Sequence, residues 1–463
     1  MAVPGAGSAP DPGAAPTAGA GVLARRLSWG DAVVVGLGAM IGAGVFTAFA
    51  PAARAAGTRL LVALAIAALV AYCNATSSAR LAARYPTSGG TYVYGRERLG
   101  PVWGYLAGVA FVVGKTASCA AMALGVGSYV WPAHAHLVAV AAVVALTGAD
   151  LAGAHRGALL TRLLVAVVLV ILVVVVVVCL TSPAAHAGRL RLASPSGTAP
   201  AGGTAGNSGG GAGAGGVGGV LRAAGLLFFA FAGYARVATL GEEVRDPART
   251  IPRAIRVALA VTLVVYLAVA LGALAVLGAE RLAGADAPLV DAVRAAGAGW
   301  FATPVRLGAA LAACGSLLAL LLGVSRTTLA MARDGHLPAV LAAVHPRRGV
   351  PHHAQLAVGM AVAVLAAVAD LRAAIGFSSF GVLVYYALAN ASAWTLRADE
   401  GRPARVVPVL GFAGCLLLAF TLPAGAVLTG LAILAAGLAA YAARRRWRYR
   451  EPGRSNGRGW AGR

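Results

Sequence analysis

The chain has 463 residues, of which 59% are hydrophobic and 11% charged, where an average soluble domain carries roughly 25% charged residues. A water-soluble core cannot absorb that much apolar surface, which excludes a soluble enzyme or binding module. The formal net charge of +23 does not indicate nucleic acid as a partner, because the basic residues are not gathered on a domain with an aqueous face.

Apolar runs of about 20 residues, each able to cross roughly 30 Å of hydrocarbon, recur from Ala32 onward. In lipid such runs must be helices, since the backbone has to satisfy its own hydrogen bonds. The pattern predicts an all-α membrane protein with 12 transmembrane helices, at about 31–54, 58–82, 101–130, 137–152, 158–180, 220–243, 254–279, 304–331, 354–370, 373–396, 406–421 and 424–443. Ahead of them, residues 1–28 are rich in Ala, Gly and Pro with no basic n-region. They read as a disordered cytoplasmic tail and not as a secretory signal.

The first span opens at Asp31, a charge favoured at a helix N-terminus by the dipole. At mid-depth it carries Gly36, Gly38, Gly42 and Gly44, each weakening a helix by about 1 kcal/mol. Unwinding around Gly42–Gly44 would free backbone groups toward a cavity, where a half-helix N-terminus can hold a carboxylate. The alternative is a packing face of small residues, with Gly38 and Gly42 one turn apart. The loop to the third span holds Tyr85 to Tyr94, and the third span holds Lys115, the one lysine beside 37 arginines. The stretch 182–219 is dense in Gly, Ala and Ser and reads as a flexible extracellular loop. It lacks the strand, helix and lysine that a phosphate-binding loop requires.

The sixth span runs through Phe228, Phe229, Phe231, Ala232, Gly233 and Arg236 to Glu242 and Glu243. Ionisable residues within or at the edge of a span are costly unless they face protein or water. Arg236, Glu242 and Glu243 are therefore candidates for a gate or charge network, against the alternative that the glutamates anchor a loop at the membrane surface. Glu280–Trp300 is polar enough to lie outside the membrane as a short surface helix. Spans eleven and twelve are separated by Leu422-Pro423. Roughly 26 of the 38 Lys and Arg residues fall on the N-terminal side of the membrane, which puts both termini in the cytoplasm.

Five single cysteines, Cys73, Cys119, Cys179, Cys314 and Cys415, show no pairing pattern. His134 and His136 fall in a short external loop and His352-His353 at the start of the ninth span, without partners at metal-ligand spacing. No nucleophile or metal motif argues for an enzyme, and no cofactor is implied.

Spans one and six, five apart, each combine a small-residue break with an aromatic flank, the layout of an inverted-repeat transporter with its site at the midplane. Together with Tyr85-Pro86-Thr87-Ser88-Gly89-Gly90-Thr91-Tyr92-Val93-Tyr94, Met331-Ala332-Arg333-Asp334-Gly335-His336-Leu337-Pro338 and His345-Pro346-Arg347, they make the sequence resemble the amino acid–polyamine–organocation permeases from about Trp29 to Trp394. The resemblance implies a LeuT-type fold of two inverted five-helix repeats, about 29–180 and 220–396, with two further helices over 397–443 and a basic tail over 444–463. It implies alternating access around a substrate site between helices one and six. Carried over residue by residue, the substrate contacts fall on backbone at Ile41, Gly42, Ala43, Gly44, Phe231, Ala232 and Gly233, with Phe229 as an aromatic lid.

One departure concerns coupling. Proton-coupled relatives carry a lysine on the fifth helix, and the matching stretch around Ala166–Leu169 is apolar here. Lys115 is the candidate to fill that role, because a buried lysine can lose its proton and an arginine effectively cannot. The alternative is a snorkelling or structural lysine. The function expected is secondary transport of amino acids, neutral or small, across a bacterial-type plasma membrane, with protons and membrane lipid as partners. Exchange of one amino acid or amine for another, and a non-transporting amino-acid sensor, are the competing readings.

Overall fold

A computed structural model of the chain describes residues 28–86, 89–152, 158–190, 216–238, 244–345 and 349–450. Glu242, Glu243, Pro346, Arg347, most of the tail 1–28, most of the stretch 182–219 and the end of the basic tail lie outside the described residues. Within them the regular structure is helical: α1 (Trp29–Met40), α2 (Ala43–Thr47), α3 (Phe49–Ala56), α4 (Leu60–Arg84), α5 (Thr91–Leu99), α6 (Pro101–Val130), α7 (Ala135–Leu151), α8 (Ala158–Thr181), α9 (Val217–Phe231), α10 (Ala235–Ala238), α11 (Pro247–Gly284), α12 (Pro288–Ala295), α13 (Ala302–Arg333), α14 (His352–Val368), α15 (Leu371–Trp394), α16 (Val406–Thr421) and α17 (Ala424–Arg450). Ten helical runs among the described residues are long and apolar enough to cross a membrane, and His352–Val368 and Val406–Thr421 are shorter apolar helices.

Local chemistry sets the ends of these helices. Ser28 and Asp31 form a capping box at the start of α1, and Arg162 of α8 donates to the same carboxylate, with Nε at 3.1 Å. Asp31 is thus a cap and an ion-pair partner as well as a favourable charge. Gly278 interrupts α11 with φ +70°, and that interruption leaves carbonyls without helical donors. Arg189 and the backbone of His186 fill the gap, donating to Ala275 O at 3.3 and 3.1 Å. The first residues of the stretch expected to be flexible are therefore pinned to α11 through a 3₁₀ turn at Ala187–Leu190.

α5 is a helix where a loop was expected. Its Tyr92 and Tyr94 are buried, and its first amide, that of Thr91, donates to the Tyr385 hydroxyl of α15 at 3.0 Å. The predicted surface helix is present as α12. His136 is not in a loop: it sits in the first turn of α7 with Nδ1 2.8 Å from Ala366 O.

The packed interior is built from α1–α4, α6, α9–α11, α13 and α15. Large apolar side chains point outward on the peripheral helices, including Leu159, Leu163 and Val170 on α8 and Leu417 and Phe420 on α16. On a soluble protein so much exposed apolar surface would be a liability; facing hydrocarbon it costs nothing.

Candidate functional site

Two interrupted helices meet at the centre of the bundle. The first helix stops at Met40 and resumes at Ala43, so the unwound residues are Ile41 and Gly42. The other stops at Phe231, passes through a 3₁₀ turn at Ala232–Tyr234 and resumes at Ala235. The interruptions touch: a Cβ on Gly233 would fall 2.3 Å from Ala39 O, and one on Gly44 would fall 2.6 Å from the Cα of Ala230. Glycine at both places lets two backbones approach where no side chain fits.

Side chains from neighbouring helices satisfy the carbonyls these breaks release. The Tyr266 hydroxyl on α11 lies 2.5 Å from Met40 O and 3.0 Å from Ala230 O. Ser316 on α13 donates to Gly38 O at 2.9 Å. Lys115 Nζ on α6 and the Tyr386 hydroxyl on α15 donate to Ala232 O at 3.2 and 3.3 Å. Such donors resolve the backbone problem that an unwound segment creates at membrane depth.

A cavity of about 60 Å³ opens at this junction, enough for roughly four to six waters at about 10–15 Å³ each by this measure. Its apolar wall includes Phe111, Met122, Phe229 and Leu320, and its described charged residues are Lys115, Arg236 and Arg326. From the breaks it follows the C-terminal half of α13, from Ser316 to Thr327, as far as Gly89 in the turn before α5. A second cavity, of about 230 Å³, lies beyond the breaks among Thr47, Ser128, His136, Asp286, Asp370 and Arg372. Next to Ser128 and Thr47 of this second cavity, Tyr129 donates to Phe46 O at 2.8 Å and the two rings meet edge to face at 5.7 Å.

Of the residues singled out in the sequence, Phe229, Ala232, Gly233, Lys115 and Arg236 line the central cavity. Ile41, Gly42, Ala43 and Gly44 are buried beside it without lining it, and Phe231 turns its ring onto Tyr266, 5.0 Å away. Gly38 and Gly42 do not form one packing face, since Gly38 meets Val165 of α8 and Gly42 meets Ser316 of α13. Ser316, Tyr266, Tyr386 and Arg326 were not singled out. Arg326 carried a readable signal, an arginine within an apolar span, by the rule that marked Arg236.

The sequence profile described as amino acid permease matches residues 27–440. An uncharacterized transporter of Mycobacterium tuberculosis is 65% identical over 423 residues, 91% of this chain and 92% of its own. A branched-chain amino acid permease of Bacillus subtilis is 28% identical over 452 residues, 92% of this chain and 94% of its own. A vacuolar cationic amino acid transporter of Arabidopsis thaliana is 29% identical over 391 residues, 79% and 62% of the two chains. With that match running nearly end to end over a bundle whose two broken helices meet at a central cavity, the chain is a multi-pass membrane protein of the amino acid permease family.

Proposed function

We propose that the protein carries a neutral amino acid across the plasma membrane by alternating access, coupled to a proton held on Lys115. The observation that carries this reading is the contact of Lys115 Nζ with Ala232 O, the carbonyl released at the second break, on the wall of the central cavity. A protonatable group there is joined directly to the unwound segment that would take part in substrate binding. Twelve crossings, the ten long runs and two shorter helices, arranged as two inverted repeats within residues 29–396 and two further helices, supply the architecture. With every apolar run crossing once, the central cavity faces the side where α1 begins, which the excess of arginine assigns to the cytoplasm together with both termini.

The lining supports a small neutral substrate over a cationic one. Lys115, Arg236 and Arg326 are basic, no described lining residue is acidic, and the remaining wall is largely apolar. The substrate's carboxylate would meet the backbone of the breaks and these cations, and its side chain the wall of Phe111, Met122 and Phe229. The branched-chain permease relative fits that polarity; the cationic transporters do not.

Uptake of labelled amino acids into proteoliposomes, with and without an inward proton gradient, tests the reading for the native chain and Lys115→Ala. Accumulation driven by the gradient and lost in the variant supports it. Exchange indifferent to the gradient makes Lys115 structural, and a ligand that binds without flux makes the protein a sensor.

A further inference from the structure

Among the described helices, α6 and α15 form the most extensive pair. They cross at Gly114 and Gly381, where a Cβ on Gly114 would lie 3.1 Å from the Cα of Gly381. This crossing sets Lys115, next to Gly114, and Tyr386, five residues beyond Gly381, to either side of one acceptor, Ala232 O. Both side chains are buried. The Tyr386 ring is itself wedged, edge to face with Phe228 at 5.7 Å and tilted against Tyr234 at 5.0 Å. Its own carbonyl accepts from Asn390 at 2.9 Å.

From this geometry we infer that Tyr386 is a positioning residue for the coupling step: by sharing Ala232 O with Lys115 it sets the pH at which Lys115 releases the broken helix. The inference rests on the proton-coupled reading above. Two donors on one carbonyl weaken each other, and the ammonium depends on that carbonyl more than a neutral amine does, because a charge-assisted hydrogen bond is about twice as strong. When Lys115 passes its proton to solvent through the cavity, the amine keeps only a weak hold and Tyr386 remains as the fixed donor. The α9–α10 turn is then loosened from α6 while its carbonyl keeps the Tyr386 hydroxyl as a partner.

The charged and titratable groups around Lys115 in the described structure are few. They are Cys119 one turn along α6, Tyr385 and Tyr386 on α15, Tyr234 and Arg236 across the α9–α10 break, and Arg326 on α13; α1 contributes only Ala39 to the lining. Among these described groups, it is Tyr386 that shares the acceptor with Lys115, its hydroxyl donating to Ala232 O at 3.3 Å.

The test is the pH profile of uptake into proteoliposomes for the native chain, Tyr386→Phe and Lys115→Ala. Removing the hydroxyl leaves Ala232 O to the ammonium, so the midpoint in Tyr386→Phe rises by about half to one pH unit, the equivalent of one neutral hydrogen bond. Replacing Tyr386 with 3-fluorotyrosine strengthens the donor without altering the ring packing and lowers the midpoint, which keeps the question answerable if Tyr386→Phe does not fold. A profile abolished by Lys115→Ala and unmoved by either change at Tyr386 overturns this inference and leaves the coupling reading intact. A profile that survives Lys115→Ala overturns both.

Discussion

Tyr266 donates toward the carbonyl of Met40 at 2.5 Å, from a hydroxyl that also lies 3.0 Å from Ala230 O. One proton is shared between acceptors on the two interrupted helices, so Tyr266 holds the breaks together from α11. Tyr266→Phe leaves both buried carbonyls without that donor, at a cost of roughly 1–3 kcal/mol. Thermal unfolding of the detergent-purified variant is expected to begin at lower temperature, and transport to slow. An unchanged melting curve would show that the carbonyls find another donor and that Tyr266 is not a staple.

Gly233 meets backbone and not a movable side chain. Its Cβ position is 2.3 Å from Ala39 O and 2.6 Å from Met40 N, so Gly233→Ala must push the two breaks apart. Overpacking of this kind costs about 1–3 kcal/mol. The variant is expected to melt at lower temperature than the native chain by the equivalent of that cost, and to lose uptake. Gly148 on α7 has open space at the same position, and Gly148→Ala is expected to transport normally. Equal activity of the two variants would mean that the contact of the breaks has no part in transport.

These contrasts also show which features were readable before the fold was known. The predicted spans 101–130 and 406–421 coincide with α6 and α16, because Gly100-Pro101 starts one helix and Leu422-Pro423 stops the other. α5 was not readable. It is short and polar, and its position depends on the hydroxyl of Tyr385, 294 residues away. The glycines that place the breaks carry a local signal. Tyr266, Ser316 and Tyr386 do not, since a tyrosine or serine in an apolar run looks the same whether it faces lipid or a carbonyl until the packing is known.

Glu400 joins the α15–α16 turn to α5 and α4. It accepts from Arg98, from Arg84 Nε at 3.3 Å and from the Arg397 amide at 2.9 Å. The Arg98 hydrogen bond, above all, lowers its pKa from 4.5 to about 2. A depressed carboxylate contributes stability that is present above its unfolded value and is lost as pH falls through the folded one. The tie therefore persists unchanged between pH 5 and 8. Glu400→Gln is expected to lower the melting temperature by the same amount across that interval, and by less in high salt. A difference that varied with pH there would place the titration of Glu400 in the working range and make it a competitor to Lys115 for the pH dependence of uptake.

Asn390 stands at the centre of a polar cluster buried among α4, α15 and α16. Its amide donates to Asn74 Oδ1 at 2.6 Å, and its carbonyl accepts from Ser77 at 2.7 Å. Asn74 donates onward to Cys415 Sγ at 3.1 Å. Asn390→Ala strands Asn74 and Ser77 at once, although Cys415 Sγ, 3.4 Å from Asn74 Oδ1, can take over one of the lost contacts. Asn74→Ala strands fewer groups, and the double variant removes most of the cluster together. Because the second substitution then deletes groups already left without partners, the two costs are expected to sum to more than the cost of the double variant. Interhelical hydrogen bonds in membrane proteins show couplings of about 0.6 kcal/mol, reaching about 1.7. A double-mutant cycle by denaturation in bicelles reads that coupling. Strict additivity would mean that each asparagine is satisfied alone, and that α16 is held to the bundle by apolar packing instead of by this cluster.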